Sequence, residues 1–147
     1  MTNKRVKLLI AENHNLVRNC IISIIKKKKK HSFDIHEAHD GVEATTLAKK
    51  TKFDIILMDI TMPKKDGIAA TKEIIKKNKD QKVLTLTMHD EIGYIVEAMS
   101  NGSSGYVLKD SQPDELITAI DQVLDGKKYL SPEMSIRLYE AKAKKTK

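Results

Sequence analysis

The stretch FDIILMDITMPKKDGI, residues 53–68, decides the fold. Ile55, Ile56, Leu57 and Met58 form a continuous apolar run of strand length, which fits a strand buried on both faces of a sheet. Asp59 closes that run, so a carboxylate leaves the end of the most apolar segment of the chain. Pro63 and Gly67 then supply turn residues before a helical pattern begins. An Asp in this place is either a turn or cap residue or a group that must be reached from outside, and the other segments decide between the two.

Outward from this run the hydrophobic pattern alternates regularly. Val6 to Ala11 is a short apolar strand, and Leu16, Val17, Cys20, Ile21, Ile24 and Ile25 recur after it at helical spacing. Phe33 to Ala38 is a second, weaker strand, and Asp40 with Gly41 opens a helix that runs to about Lys50. The helix after Gly67 turns Ile68, Ile74 and Ile75 inward. Val83 to Thr87 is a fourth strand, followed by a helix whose apolar side carries Ile92, Ile95, Val96 and Met99. Gly105 to Leu108 is a fifth; Pro113 then starts a helix with Leu116, Ile117, Ile120, Val123 and Leu124, which Gly126 stops. Strands alternating with helices imply an α/β fold, a doubly wound five-stranded parallel sheet with helices on both faces, because each parallel crossover needs a helix-length connection.

At 147 residues and 40% hydrophobic content the chain has material for one core. Residues 1–126 read as one domain and 127–147 as a basic linker or tail. No run approaches the roughly 18 apolar residues of a membrane span, and MTNKRVKLLI passes from Arg5 straight into a strand without a cleavage-type stretch of small residues. A cytoplasmic protein with no membrane partner is expected. The single cysteine, Cys20, excludes an internal disulfide and a multi-cysteine zinc site, and its apolar neighbours suggest a packed thiol. Of the net charge of +7, the tail from Lys127 to Lys147 carries +5, so the body is nearly neutral. The run Lys26 to Lys30 falls where a helix ends, where solvated cations oppose the helix dipole.

In open parallel sheets ligands bind beyond the carboxyl ends of the strands, near the point where strand order reverses. There stand Glu12 and Asn13 after the first strand, Asp59 after the third, Thr87 at the end of the fourth and Lys109 after the fifth. Carboxylates and an amide at one corner make a hard-oxygen site suited to Mg2+ rather than zinc. A hydroxyl and an ammonium beside them can hold the oxygens of a phosphoryl group. Each residue alone has an ordinary explanation as a cap, a β-former or a solvated lysine. Together they fit a carboxylate nucleophile that forms an aspartyl phosphate.

The segments KLLIAENHNLVR, LMDITMPKKDGI, VLTLTMHDE and GSSGYVLKD, in this order, resemble the receiver domain of bacterial two-component response regulators of the NarL/FixJ (LuxR-type) class. The likeness spans roughly residues 4–126, and GKKYLSPEMSIRL resembles the linker that leads such receivers into a helix-turn-helix domain. The resemblance implies the flavodoxin-like strand order 2-1-3-4-5. It also implies Asp59 as the phosphorylated residue, Lys109 as the lysine that contacts the phosphoryl group, and Thr87 as the hydroxyl that shifts toward it. Tyr106 matches the aromatic that changes burial with the threonine. Glu12, Asn13, Asp59 and the backbone carbonyl of Thr61 would hold Mg2+. Pro63 and Gly67 match the loop that shapes the pocket and are equally ordinary turn residues; Met62 and Met88 read as packing. Thr61 and His89 flank the pocket and would tune the lifetime of the phosphate.

One departure stands out. The family carries two acids after the first strand where this chain has Glu12 and Asn13, so weaker Mg2+ binding and slower phosphorylation are expected, with Glu12 reaching further to compensate in part. The implied protein is a phosphoacceptor signalling domain rather than an enzyme. Its partners would be a sensor histidine kinase, a second copy on phosphorylation, and DNA only through a C-terminal domain not present here. Ser131 and Pro132 open a short helix over about 132–143 with a thin stripe of Met134, Leu138 and Ala141, without the further helices of a helix-turn-helix. The chain reads as a receiver cut from a longer regulator, or else as a natural stand-alone protein. A pseudo-receiver that binds proteins without taking phosphate is the alternative. A phosphatase of the aspartate-nucleophile class is disfavoured, since Thr61 stands where that class has its second Asp.

Overall fold

Successive residues of each strand point to opposite faces, and in this chain both faces are apolar. The computed structural model describes residues 5–28 and 31–145, so Lys29 and Lys30 of the basic run lie outside the described residues. Its strands are β1 (Arg5–Ala11), β2 (Ser32–Ala38), β3 (Ile55–Met58), β4 (Val83–Thr87) and β5 (Gly105–Leu108). They form one parallel sheet in the order β2-β1-β3-β4-β5, the doubly wound arrangement expected. The helices are α1 (Asn15–Lys27), α2 (Gly41–Lys50), α3 (Gly67–Lys77), α4 (Ile92–Ser100), α5 (Pro113–Leu124) and α6 (Pro132–Lys145).

Val6, Leu8 and Ile10 of β1, Ile55 and Leu57 of β3, Leu84 and Leu86 of β4 and Val107 of β5 face one way and bury against Ile21 and Ile25 of α1 and Leu116, Ile120 and Val123 of α5. The alternate residues Leu9, Ile56 and Met58 meet Ala44 of α2 and Ala70 and Ile74 of α3. Further along this second face, Tyr106 of β5 joins Ile68 of α3, Ile95 and Ala98 of α4, and Met134 of α6. Burying an Ile or Leu side chain is worth about 2 kcal/mol, so two such layers account for the full burial of β3. Asp40 and Asp66 cap α2 and α3, accepting from the N–H groups of Glu43 and Ala69 at 2.8 Å each.

Three expectations are corrected here. Leu16 and Cys20 share the helical spacing of the α1 core residues, yet both are exposed. Arg18 takes an inward place instead, because its guanidinium is satisfied inside: Nε donates to Glu37 Oε1 at 2.6 Å and Nη1 to the Glu12 carbonyl at 2.7 Å. Met88 is 62% exposed and does not pack, whereas Met62 is buried. Among the described residues no helix is long and apolar enough to cross a membrane.

Candidate functional site

The sheet ladder continues one residue past the strands, and this fixes the site. The Glu12 N–H donates to Ala38 O at 3.0 Å, Asp59 N–H to Ala11 O at 3.1 Å, and Lys109 N–H to Thr87 O at 2.8 Å. Each side chain is thereby held at the carboxyl edge of the sheet, at the β1/β3 switch of strand order. Gly67 closes the corner from behind. Its N–H donates to Ile60 O at 2.8 Å, and a Cβ at this position would stand 1.8 Å from the Asp59 carbonyl oxygen. Gly67 is therefore more than a turn residue: only a glycine lets α3 start this close to the Asp59 backbone.

The charged groups converge. Lys109 Nζ lies 3.0 Å from Asp59 Oδ2 and is ion-paired with Glu12 Oε1, and both carboxylates are buried. Asp59 Oδ1 accepts from the Ile60 N–H at 2.8 Å, while Glu12 Oε2 accepts from the His14 N–H at 3.0 Å. Burial raises the Asp59 carboxyl above its ordinary pKa; Lys109 pulls it down but less strongly, and the Glu12 charge adds to the rise. Burial also pushes Glu12 up, yet the bonds from Lys109 and His14 outweigh it and leave Glu12 below the usual carboxylate range. One cation thus serves two anions, and the corner keeps a surplus negative charge.

Thr87 is fully buried, and its Oγ1 accepts from the His89 N–H at 3.3 Å. Asp59, Thr61, Thr87, His89 and Lys109 share one wall of a cleft of about 790 Å3. The rest of its lining is mostly apolar, from Leu16, Val17 and Cys20 on α1 to Pro113 and Leu116 on α5, with His14, Asp110 and Ser111 as its polar members. Tyr106 is wholly buried, its hydroxyl donating to His89 O at 2.8 Å, and burial holds its phenol well above the ordinary range. Asn13 is exposed beside this corner and does not line the cleft. Among the described residues no group of three His, Cys, Asp or Glu gathers as a metal site. The donors present, Glu12 and Asp59 with surplus negative charge, are hard oxygens of the kind that fits Mg2+.

The chain matches the response regulator receiver domain family over residues 8–121. The chain belongs to that family. It is 33% identical over 138 residues to the transcriptional regulatory protein DegU of Brevibacillus brevis, covering 94% of this chain and 58% of that protein. It is 34% identical to the oxygen regulatory protein NreC of Staphylococcus carnosus, covering 90% of this chain and 61% of NreC. The receiver thus spans about 60% of the length of these curated relatives. Among solved structures, a two-component response regulator of the LuxR family from Aurantimonas superposes with a TM-score of 0.87 at 32% identity, over 95% of this chain and 99% of that one. The chain is a receiver of the LuxR-type class.

Sequence reasoning missed several features around this receiver site. Arg18 holds the β1–α1 turn through the Glu12 carbonyl; a lone charge within an apolar helical pattern was the available signal. Thr61 Oγ1 and His89 Nε2 bond each other at 2.6 Å beside the cleft, and His89 stacks on Tyr94 with ring centroids 4.3 Å apart. No local pattern announces either contact.

Proposed function

We propose that this receiver accepts a phosphoryl group on Asp59, with Mg2+, from a sensor histidine kinase in the cytoplasm, and so switches a partner surface. One observation carries the reading: the Lys109 ammonium lies 3.0 Å from Asp59 Oδ2 beside a second buried carboxylate, in a cleft that also presents Thr87. An Asp59 oxygen would attack phosphorus, and the bond from phosphorus to the donor would break with its electron pair leaving on the donor. Lys109 and the Thr87 hydroxyl would bind the transferred oxygens, and positioning plus charge neutralisation would supply most of the rate. Bound Mg2+ would neutralise phosphoryl charge, held by Asp59, Glu12, the Asn13 amide and the Thr61 carbonyl. Turning of Thr87 toward the new anion frees the space that lets Tyr106 move, which changes the α4–β5 surface. In a longer regulator that surface would govern self-association and an attached DNA-binding domain.

Incubation with acetyl phosphate and Mg2+, followed by intact mass, tests the reading. A gain of one phosphoryl group that disappears in Asp59→Ala supports it. An unchanged mass in the wild-type chain leaves the protein-binding pseudo-receiver as the better account, an alternative that Asn13 motivates.

A further inference from the structure

Residues 129–134 dock on the α4–β5 surface rather than leaving it. The Tyr129 N–H donates to Ser104 O at 3.0 Å and the Tyr106 N–H donates to Tyr129 O at 3.1 Å, which forms a parallel bridge on the outer edge of β5. The Tyr129 hydroxyl donates to Glu115 Oε2 of α5 at 2.8 Å. Beyond this clip, Ser131 Oγ accepts from the Met134 N–H at 3.2 Å and starts α6. Met134, 5% exposed, enters the same apolar cluster as Tyr106, Ile95 and Ala98, with Leu130 packed against it. Further along, Arg137, Glu140 and Ala141 line a groove with Ile92 of α4.

We infer that residues 129–141 are a clasp on the α4–β5 surface whose hold depends on Tyr106, so that release of α6 is the first structural output of the switch. Tyr106 touches the clasp twice, through its own N–H to the Tyr129 carbonyl and through the cluster that seats Met134. A helix of this length with many lysines is marginal in water by itself, so docking is what keeps it folded. When Tyr106 leaves the cluster, Met134 loses its neighbour and α6 loses its seat. Coupling is reciprocal: whatever loosens α6 must also ease the movement of Tyr106. While seated, α6 lies beside Ile92 of α4, so the same event exposes Ile92 to a partner. The trigger of this device rests on the phosphoacceptor reading; the contact between Tyr106 and the clasp does not.

Hydrogen exchange on the full chain tests it. Tyr106→Leu should speed exchange of the α6 amides about tenfold, while Val107→Ala, next on the strand but facing the other core layer, should leave them within about twofold. Met134→Ala, at the surface end of the cluster, should speed them as well, and circular dichroism confirms that each variant is folded. Phosphorylated wild-type protein should show the same faster α6 exchange. Unchanged α6 exchange in Tyr106→Leu and Met134→Ala overturns the clasp. A phosphoryl gain by mass with α6 exchange unmoved overturns its role as output while the phosphoacceptor reading stands. No phosphoryl gain removes that reading, and the two variants still decide whether Tyr106 controls the clasp.

Discussion

The two faces of the sheet use alternate residues of the same strands and finish differently. On one face two apolar clusters, one under α2 and α3 and one joining α3, α4 and α6, extend out to Met134. On the other, α1 and α5 seal Ile25 and Ile120 beneath them but leave a cleft toward the carboxyl edge, with Leu16 79% exposed on its lip. The charged corner of Glu12, Asp59 and Lys109 lies at the head of that cleft. The phosphoacceptor role proposed for Asp59 requires an open side and a firm back, and the sealed face supplies the back through Gly67 and Ile60.

The largest test of this contrast is in the sealed layer. Ile95 is fully buried between α4 and Tyr106, so Ile95→Ala should cost about 3 kcal/mol in urea unfolding, through lost transfer energy plus the cavity left behind. A loss below about 1 kcal/mol would mean that α4 and α6 collapse into the gap and that this face is as yielding as the other.

The next effect lies at the corner. Asn13→Asp restores a negative charge to a donor set whose two carboxylates already share one ammonium, and it should tighten Mg2+ about tenfold by calorimetric titration. Equal affinity in the two proteins would show that the exposed Asn13 stays outside the metal shell.

How much of this contrast was legible depends on the range of the interactions involved. The β3 run was readable because burial on both faces leaves no polar position to misassign, whereas the strand order came from the resemblance. Glu12, Asp59 and Lys109 were readable because the end of a strand is a place in space as well as in sequence. The lip was not. Leu16, Cys20, Ile21 and Ile25 have the same helical spacing whether the facing helix closes over them or stands off, and only the position of α5 decides that Ile25 is core and Leu16 is not. The inward turn of Arg18 depends on Glu37, and the clip at Tyr129 is a backbone bridge to β5; neither partner is near in sequence.

A smaller effect, of opposite sign, comes from Asp59 itself. Its carboxyl is raised in the fold by burial, with Lys109 only partly offsetting this, so its ionised form is less favoured in the fold than in the unfolded chain. Stability from this group is therefore highest at low pH and is lost as pH rises through the raised folded value. Asp59→Asn removes the charge and should raise Tm by about 3 °C at neutral pH, corresponding to about 1 kcal/mol. As pH falls below the raised folded value the wild-type carboxyl takes up its proton, and the gain should shrink toward zero. Glu12 works in the opposite sense: its pKa is lowered, so its contribution is present above the ordinary carboxylate pKa and is lost as pH falls through the folded value. The difference between Asp59→Asn and wild type across a pH series separates the two, because Glu12 is common to both proteins.

The smallest effect belongs to the lip. Leu16→Ala deletes an apolar side chain that is 79% exposed, so little area returns to water and no cavity is made; unfolding should shift by less than about 0.5 kcal/mol. Cys20, one turn further along α1 and also exposed on the cleft, should react with a thiol reagent in the native protein at close to the rate of the unfolded chain. If Leu16→Ala costs as much as Ile95→Ala, or if Cys20 reacts only after unfolding, then α1 closes against α5 in solution and the cleft is filled by the protein's own side chains. Asp59 would then be reached only when that closure opens, and the asymmetry between the two faces would be one of dynamics rather than of packing.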